Sequence, residues 1–124
     1  MSQGMRRVGP DHPITIGAAA ARIRVTAAGG VIADTVDALI LQEASYPAVT
    51  YIPRSDVDMT HLRRSDHTSF CPYKGQCSYF SISALGPAGD NAVWSYEEPF
   101  EDVAAIRGAL AFYPNRVEFV REPG

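Results

Sequence analysis

The sequence predicts a mostly β, α+β domain: a curled antiparallel sheet of about seven short strands with one main helix near 99–110. Three observations predict it. Apolar and polar residues alternate in short runs, clearest in Ala21-Arg-Ile-Arg-Val-Thr26 and Arg116-Val-Glu-Phe-Val120, which is the period of a strand with one wet face. Clusters of Gly, Pro and Asn separate those runs. Only Pro99 to Leu110 spaces its apolar residues by three and four, the stripe of an amphipathic helix.

Residues 1–13 carry Gly4, Gly9, Pro10 and Pro13 with few apolar groups and read as a loose lead-in. From Ile14 the pattern turns to β. Gly29-Gly30 supplies a turn between the strand ending at Thr26 and a second strand, Val31-Ile-Ala-Asp34. Ala38-Leu-Ile-Leu-Gln42 is an apolar run whose length favours a strand over a helical turn. Val49-Thr-Tyr-Ile52 follows and is stopped by Pro53, which keeps Ile52 extended. Ser55 is placed to cap a short helix or 3-10 turn with Asp56 and Asp58 near its start. Ser78-Tyr-Phe-Ser-Ile-Ser83 alternates again, Gly86-Pro-Ala-Gly-Asp-Asn91 turns, and Ala92-Val-Trp-Ser-Tyr96 completes a hairpin. In the helical segment Phe100, Val103, Ile106 and Leu110 form the stripe; Pro99 suits its first turn, and Glu97, Glu98, Glu101 and Asp102 complement its N-terminus.

A chain of 124 residues fits one domain spanning 1–124, long enough for a single core. Apolar content of 46% with 20% charged residues is globular. The net charge of −3 argues against a nucleic-acid binder acting through bulk electrostatics. No apolar run reaches bilayer length, so no membrane partner is expected. The absence of an apolar signal region after Arg6-Arg7, with two cysteines in a chain that has its own core, points to a reducing cytoplasm. Ten arginines stand against one lysine, Lys74, a bias that fits GC-rich, bacterial-type codon usage. Arginine is thus the default cation, and the retained ammonium of Lys74 stands out chemically.

Chemistry concentrates between Ser65 and Phe80, which holds both cysteines, Lys74, His67 and four aromatic rings around a Pro-Tyr-Lys-Gly turn. His61, His67, Cys71 and Cys77 are zinc-compatible types, but no Cys-x-x-Cys pair exists and the spacing fits no common structural site. A Cys71–Cys77 disulfide is sterically allowed and disfavoured in a reducing compartment. Cys71, three residues before Lys74 and four after His67, is a candidate thiol nucleophile, against the alternative of a small core side chain. Arg54 and Lys74, with Thr68 or Ser69 hydroxyls, could clamp a phosphate or carboxylate; the alternative is that Arg54 pairs with Asp56 or Asp66 at the surface. Phe70, Tyr73, Tyr79, Phe80, Trp94 and Tyr96 supply half of the chain's twelve rings. Phe80 and Ile82 share one strand face, leaving Tyr79 on the other, where it can meet Trp94 or Tyr96 across the ladder.

The succession Tyr51-Ile-Pro-Arg54, Asp56-Val57, Asp66-His67-Thr68, Cys71-Pro-Tyr-Lys-Gly75, Tyr79, Trp94-Ser-Tyr96 with Pro99, and Ala111-Phe-Tyr113 with Arg116-Val117 resembles the domain-of-unknown-function-427 family over about residues 14–120. The family is sometimes labelled nucleotidyltransferase-like. By resemblance the fold is similar to the β-tent group, whose members include methionine-R-sulfoxide reductases and zinc-binding chaperone-like proteins. Those hold zinc through two Cys-x-x-Cys pairs; this chain has neither, so no metal is carried over. Cys77 stands where the family usually has a small residue.

These readings give one expectation and two alternatives. The expectation is a pocket around the Cys-Pro-Tyr-Lys-Gly loop that takes a small anionic or nucleotide-like ligand, without a cofactor. Tyr51, Arg54, Thr68, Tyr73, Lys74, Tyr79, Trp94 and Tyr96 would bind it, and His67, Cys71 and Lys74 would be catalytic if a reaction occurs, His67 as general base. The alternatives are a non-catalytic protein-interaction module, with a homodimer left open, and a thiol-dependent enzyme using Cys71.

Overall fold

The computed structural model describes residues 4–123, in which ten strands form three antiparallel sheets. The strands are β1 (Ile14–Ala18), β2 (Ala21–Ala27), β3 (Gly30–Thr35), β4 (Leu39–Glu43), β5 (Val49–Tyr51), β6 (Leu62–Cys71), β7 (Gly75–Ile82), β8 (Val93–Ser95), β9 (Ala111–Phe112) and β10 (Glu118–Pro123). Their orders are β1-β4-β5, β10-β2-β3 and β6-β7-β8-β9. The expected β-rich class stands, while the single curled sheet of about seven strands is corrected to three sheets and ten strands.

Alternation decides which side chains enter the core. In β2, Ala21, Ile23 and Val25 are buried between exposed or half-buried neighbours, as the period of two requires. The sheets are stitched by short bridges: Ile52 and Leu110 exchange both backbone bonds at 2.8 Å, and Asp58 N–H donates to Ile32 C=O at 2.8 Å. Two apolar clusters result. One surrounds Ile23, Val25, Ile32, Ile52, Ile82, Val93 and Leu110; the other gathers Leu41, Tyr51, Cys77, Tyr96, Val103 and Ile106.

The main helix expected near 99–110 is also corrected. Glu101–Ile106 is a 3-10 segment, interrupted at Val103 by φ −124° and ψ 29°. Phe100, Val103 and Ile106 recur every three residues, which a three-residue turn places on one face, and Gly108 with φ +69° stops further winding. Val103 and Ile106 are fully buried, so tertiary packing holds this segment rather than helical propensity. Ser55 makes no cap; Asp58 caps the next 3-10 turn, Met59–His61, its side chain accepting from Thr60 N–H at 3.1 Å. Between β7 and β8 the turn cluster forms a 3-10 stretch, Ser83–Gly89, in which a Cβ on Gly89 would lie 2.3 Å from Ile82 O, so only glycine fits.

Residues 4–13 contain no strand and are tied down at several points. Arg6 N–H donates to Pro72 C=O at 2.7 Å, and Arg7 makes a two-pronged bond to Asp102 at 2.6 and 2.8 Å. Hydrogen bonds from Arg7 and from Val8 N–H hold the Asp102 carboxyl down at about 2. No helix among the described residues is long and apolar enough to cross a membrane.

Candidate functional site

β4 and β5 build one wall of a cleft. Their register pairs Leu41 with Val49 and Leu39 with Tyr51, so Leu41, Glu43, Val49 and Tyr51 lie on the same sheet face. β7 and β8 build the opposite wall, where Tyr79 pairs with Trp94, the cross-strand meeting expected from the sequence. Tyr96 continues that wall, Tyr113 packs on Trp94 with ring centroids 4.5 Å apart, and Tyr46-Pro47 from the β4–β5 loop closes the rim. The enclosed volume is about 240 Å³. Five of the chain's six tyrosines, its only tryptophan and its only lysine line this one space.

Lys74 enters from the β6–β7 turn. Cys71 pairs with Gly75 across the hairpin, Lys74 N–H donates to Cys71 C=O at 3.2 Å, and Pro72 presets the turn. Gly75 has φ +110°, a conformation that favours glycine, and Phe100 N–H donates to Lys74 C=O at 3.0 Å. These constraints fix the lysine stem, which is buried, and its Nζ is bonded to Glu43 Oε1. The other carboxylate oxygen, Oε2, lies 2.7 Å from His12 Nε2. The His12 ring stacks on Tyr73 with centroids 3.8 Å apart and planes 6° from parallel. Burial alone would raise the Glu43 carboxyl, but the hydrogen bonds from Lys74 and His12 outweigh it and leave the group below its ordinary value.

Burial pushes the phenols of Tyr51, Tyr79 and Tyr96 upward, so they remain neutral hydroxyls near pH 7. Tyr51 hydroxyl accepts from Trp94 Nε1–H at 3.3 Å, and Tyr79 hydroxyl lies 2.9 Å from Ser69 Oγ. The cleft therefore offers aromatic faces, neutral hydroxyls and one ion pair.

Tyr51, Lys74, Tyr79, Trp94 and Tyr96, all expected in the site, are brought together here. Tyr73 stands behind Lys74 against His12. Arg54 is elsewhere: its Nε donates to Gly108 C=O at 2.9 Å, and its Nη2 donates to Ser95 Oγ at 3.2 Å and pairs with Glu97 at 3.0 Å. Thr68 and His67 are exposed on β6, with the His67 ring tilted against Tyr79 at 4.5 Å and outside the cleft lining. Cys71 and Cys77 are free thiols that pack beside Tyr51 and Tyr96, and burial pushes Cys77 up, which disfavours its thiolate. Among the described residues no group of three or more His, Cys, Asp or Glu side chains is arranged to hold a metal ion.

Sequence reasoning missed Glu43, His12, Tyr46 and Tyr113. Glu43 sits at the end of a strand expected to stop at Gln42, and His12 lies in a segment read as loose. Tyr113 was visible only through its place in the Ala111-Phe-Tyr113 motif. A search of curated proteins finds no match for this chain. The family model described as a domain of unknown function (DUF427) matches residues 15–123, and a match of that extent means that the protein belongs to this family.

Proposed function

We propose that the protein binds a small planar, nucleotide-like ligand in the cleft between β4–β5 and β7–β8, with its polar edge at Lys74. The observation that carries this reading is the gathering of five tyrosines, the only tryptophan and the only lysine around one concavity. Of the two ligand classes expected, the nucleotide-like one gains more support than a simple anion. Lys74 already faces a carboxylate, and Arg54 is committed to Gly108, Ser95 and Glu97. Catalysis draws less support, because His67 and the Cys71 thiol are not paired with each other across the cleft. An interaction module would favour aromatic rings on a flat face, whereas Tyr79 and Trp94 line a hollow. Two cysteines in a chain with its own core support a reducing cytoplasmic setting. The mostly β, antiparallel architecture supports the β-tent likeness, which a topology comparison would test.

A thermal-shift screen of nucleotides, nucleobases and acidic metabolites tests the reading. A ligand at about a hundred times its dissociation constant adds about 2.7 kcal/mol, a rise of several degrees at this chain length. The expected result is a shift with at least one planar compound, lost in Lys74→Ala. A screen with no shift, or a Lys74→Ala variant that keeps every shift, overturns it.

A further inference from the structure

Resting on that reading of the cleft, we propose a chemical class for its ligand: a neutral planar heterocycle with a hydrogen-bond acceptor and an N–H donor side by side on one ring edge, as in a cyclic amide. Lys74 and Glu43 are the two charged residues that line the cleft among the described residues. They are bonded to each other, and Glu43 receives a second partner, His12, on its other oxygen. An ammonium has three N–H donors and a carboxylate about four acceptor sites, so both groups keep unused capacity after these bonds. A donor and an acceptor thus stand next to each other on the cleft wall.

The complement of a donor beside an acceptor is an acceptor beside a donor. A C=O next to an N–H in one ring has that pattern. A carboxylate or phosphate offers acceptors only, and would meet the charge of the partly buried Glu43. A cationic ligand would meet Lys74 in the same way. The Lys74–Glu43 couple carries no net charge, which suits a neutral partner. The rest of the lining selects shape: the rings of Tyr79, Trp94, Tyr96 and Tyr113 favour a planar guest by stacking or edge contacts. At about 240 Å³ the cleft falls below the range of about 300–1,000 Å³ typical for drug-sized ligands, so it holds one ring system, the base of a nucleotide-like ligand, with any further part outside.

Trp94 is the only tryptophan and lines the cleft, so its emission reports occupancy directly. The test titrates the protein with uracil, with 1,3-dimethyluracil, which keeps the ring and carbonyls but has no N–H, and with benzoate, a planar anion. The expected result is a saturable change with uracil, with dimethyluracil at least about tenfold weaker because a buried acceptor is left unmet, and benzoate weaker than uracil. A gap below about tenfold, or benzoate binding more tightly than uracil, overturns the cyclic-amide class while leaving the cleft a ligand site. If none of the three perturbs Trp94 emission or the melting temperature, the cyclic-amide class falls; if the broader screen is silent too, the ligand site falls with it.

Discussion

Glu43 and Glu97 each collect two basic side chains, yet the two groups serve different ends. Glu43 holds Lys74 and His12, with side chains only 10–21% exposed, at the wall of the cleft. Glu97, just past β8, holds Arg54 and Arg64, 36% and 56% exposed. Both arginines also lie over Phe80, at 5.6 and 4.9 Å from its ring centre, and cover apolar surface with their guanidinium planes. The sequence expectation joined Arg54 and Lys74 into one anion clamp; the fold assigns them to separate carboxylates. In the first cluster the cation and its partly buried carboxylate line a cleft, whereas in the second they fasten chain segments at the surface.

The sharpest way to break that contrast is to remove Lys74. Lys74→Ala leaves the partly buried Glu43 in the cleft wall with His12 alone, and stranding that charge costs at most about 3 kcal/mol, since water reaches the cleft. Urea unfolding should show this loss; a loss below about 1 kcal/mol would place the pair energetically with surface ion pairs. Arg54→Ala ranks next. It removes bonds to Gly108 C=O and to the fully buried Ser95 hydroxyl, for a cost of about 2 kcal/mol. Arg54→Lys should restore little, because an ammonium cannot reproduce the fork. If Arg54→Ala were as stable as the parent and instead abolished every ligand-induced shift, Arg54 would belong to the binding site.

Strand periodicity was legible wherever one face is buried and the other is wet, as in β2, and the length of the Ala38–Gln42 run correctly favoured strand over helix. β6 was not legible as one long strand, because Arg63, Arg64 and Asp66 to Phe70 are exposed and no alternation survives. The 99–110 segment misled because Phe100, Val103 and Ile106 fit a three-residue turn as well as an α-helical stripe. In the site, the rings and Lys74 were found by their residue type. Glu43 and His12 were not, since their relation to Lys74 spans 31 and 62 positions of sequence and exists only through the β1–β4 sheet and the packed lead-in.

Acid titration offers a smaller and more selective probe. The folded-state values of Glu43 and Glu97 are both depressed, Glu97 chiefly by its hydrogen bond from Arg64. A depressed carboxyl contributes stability that is present above its unfolded value, ordinarily 4.5, and is lost as pH falls through the folded one. Stability should therefore decline below about pH 4.5, and Glu43→Gln and Glu97→Gln should each flatten that limb. Raising salt to about 1 M shortens the screening length to about 3 Å and should erase the Glu97 share while sparing much of the Glu43 share. Equal salt sensitivity in the two variants would remove the distinction between a buried and a half-exposed cluster.

The smallest effect belongs to Arg64→Ala. Its two bonds to Glu97, at 2.8 and 3.1 Å, have good geometry, but the arginine is more than half exposed and Glu97 keeps Arg54 as a partner. Exposed pairs contribute about 0.2–1 kcal/mol, and lost packing over Phe80 adds a few tenths, so about 0.5–1 kcal/mol is expected from denaturant midpoints. A double-mutant cycle with Arg54→Ala separates the two arginines. If they share Glu97, losing the second should cost more than losing it alone, because only then is the carboxylate left without a cation. Strict additivity would mean that Arg54 acts through Gly108 and Ser95 and Arg64 through Glu97, with no common cluster to set against Lys74, Glu43 and His12.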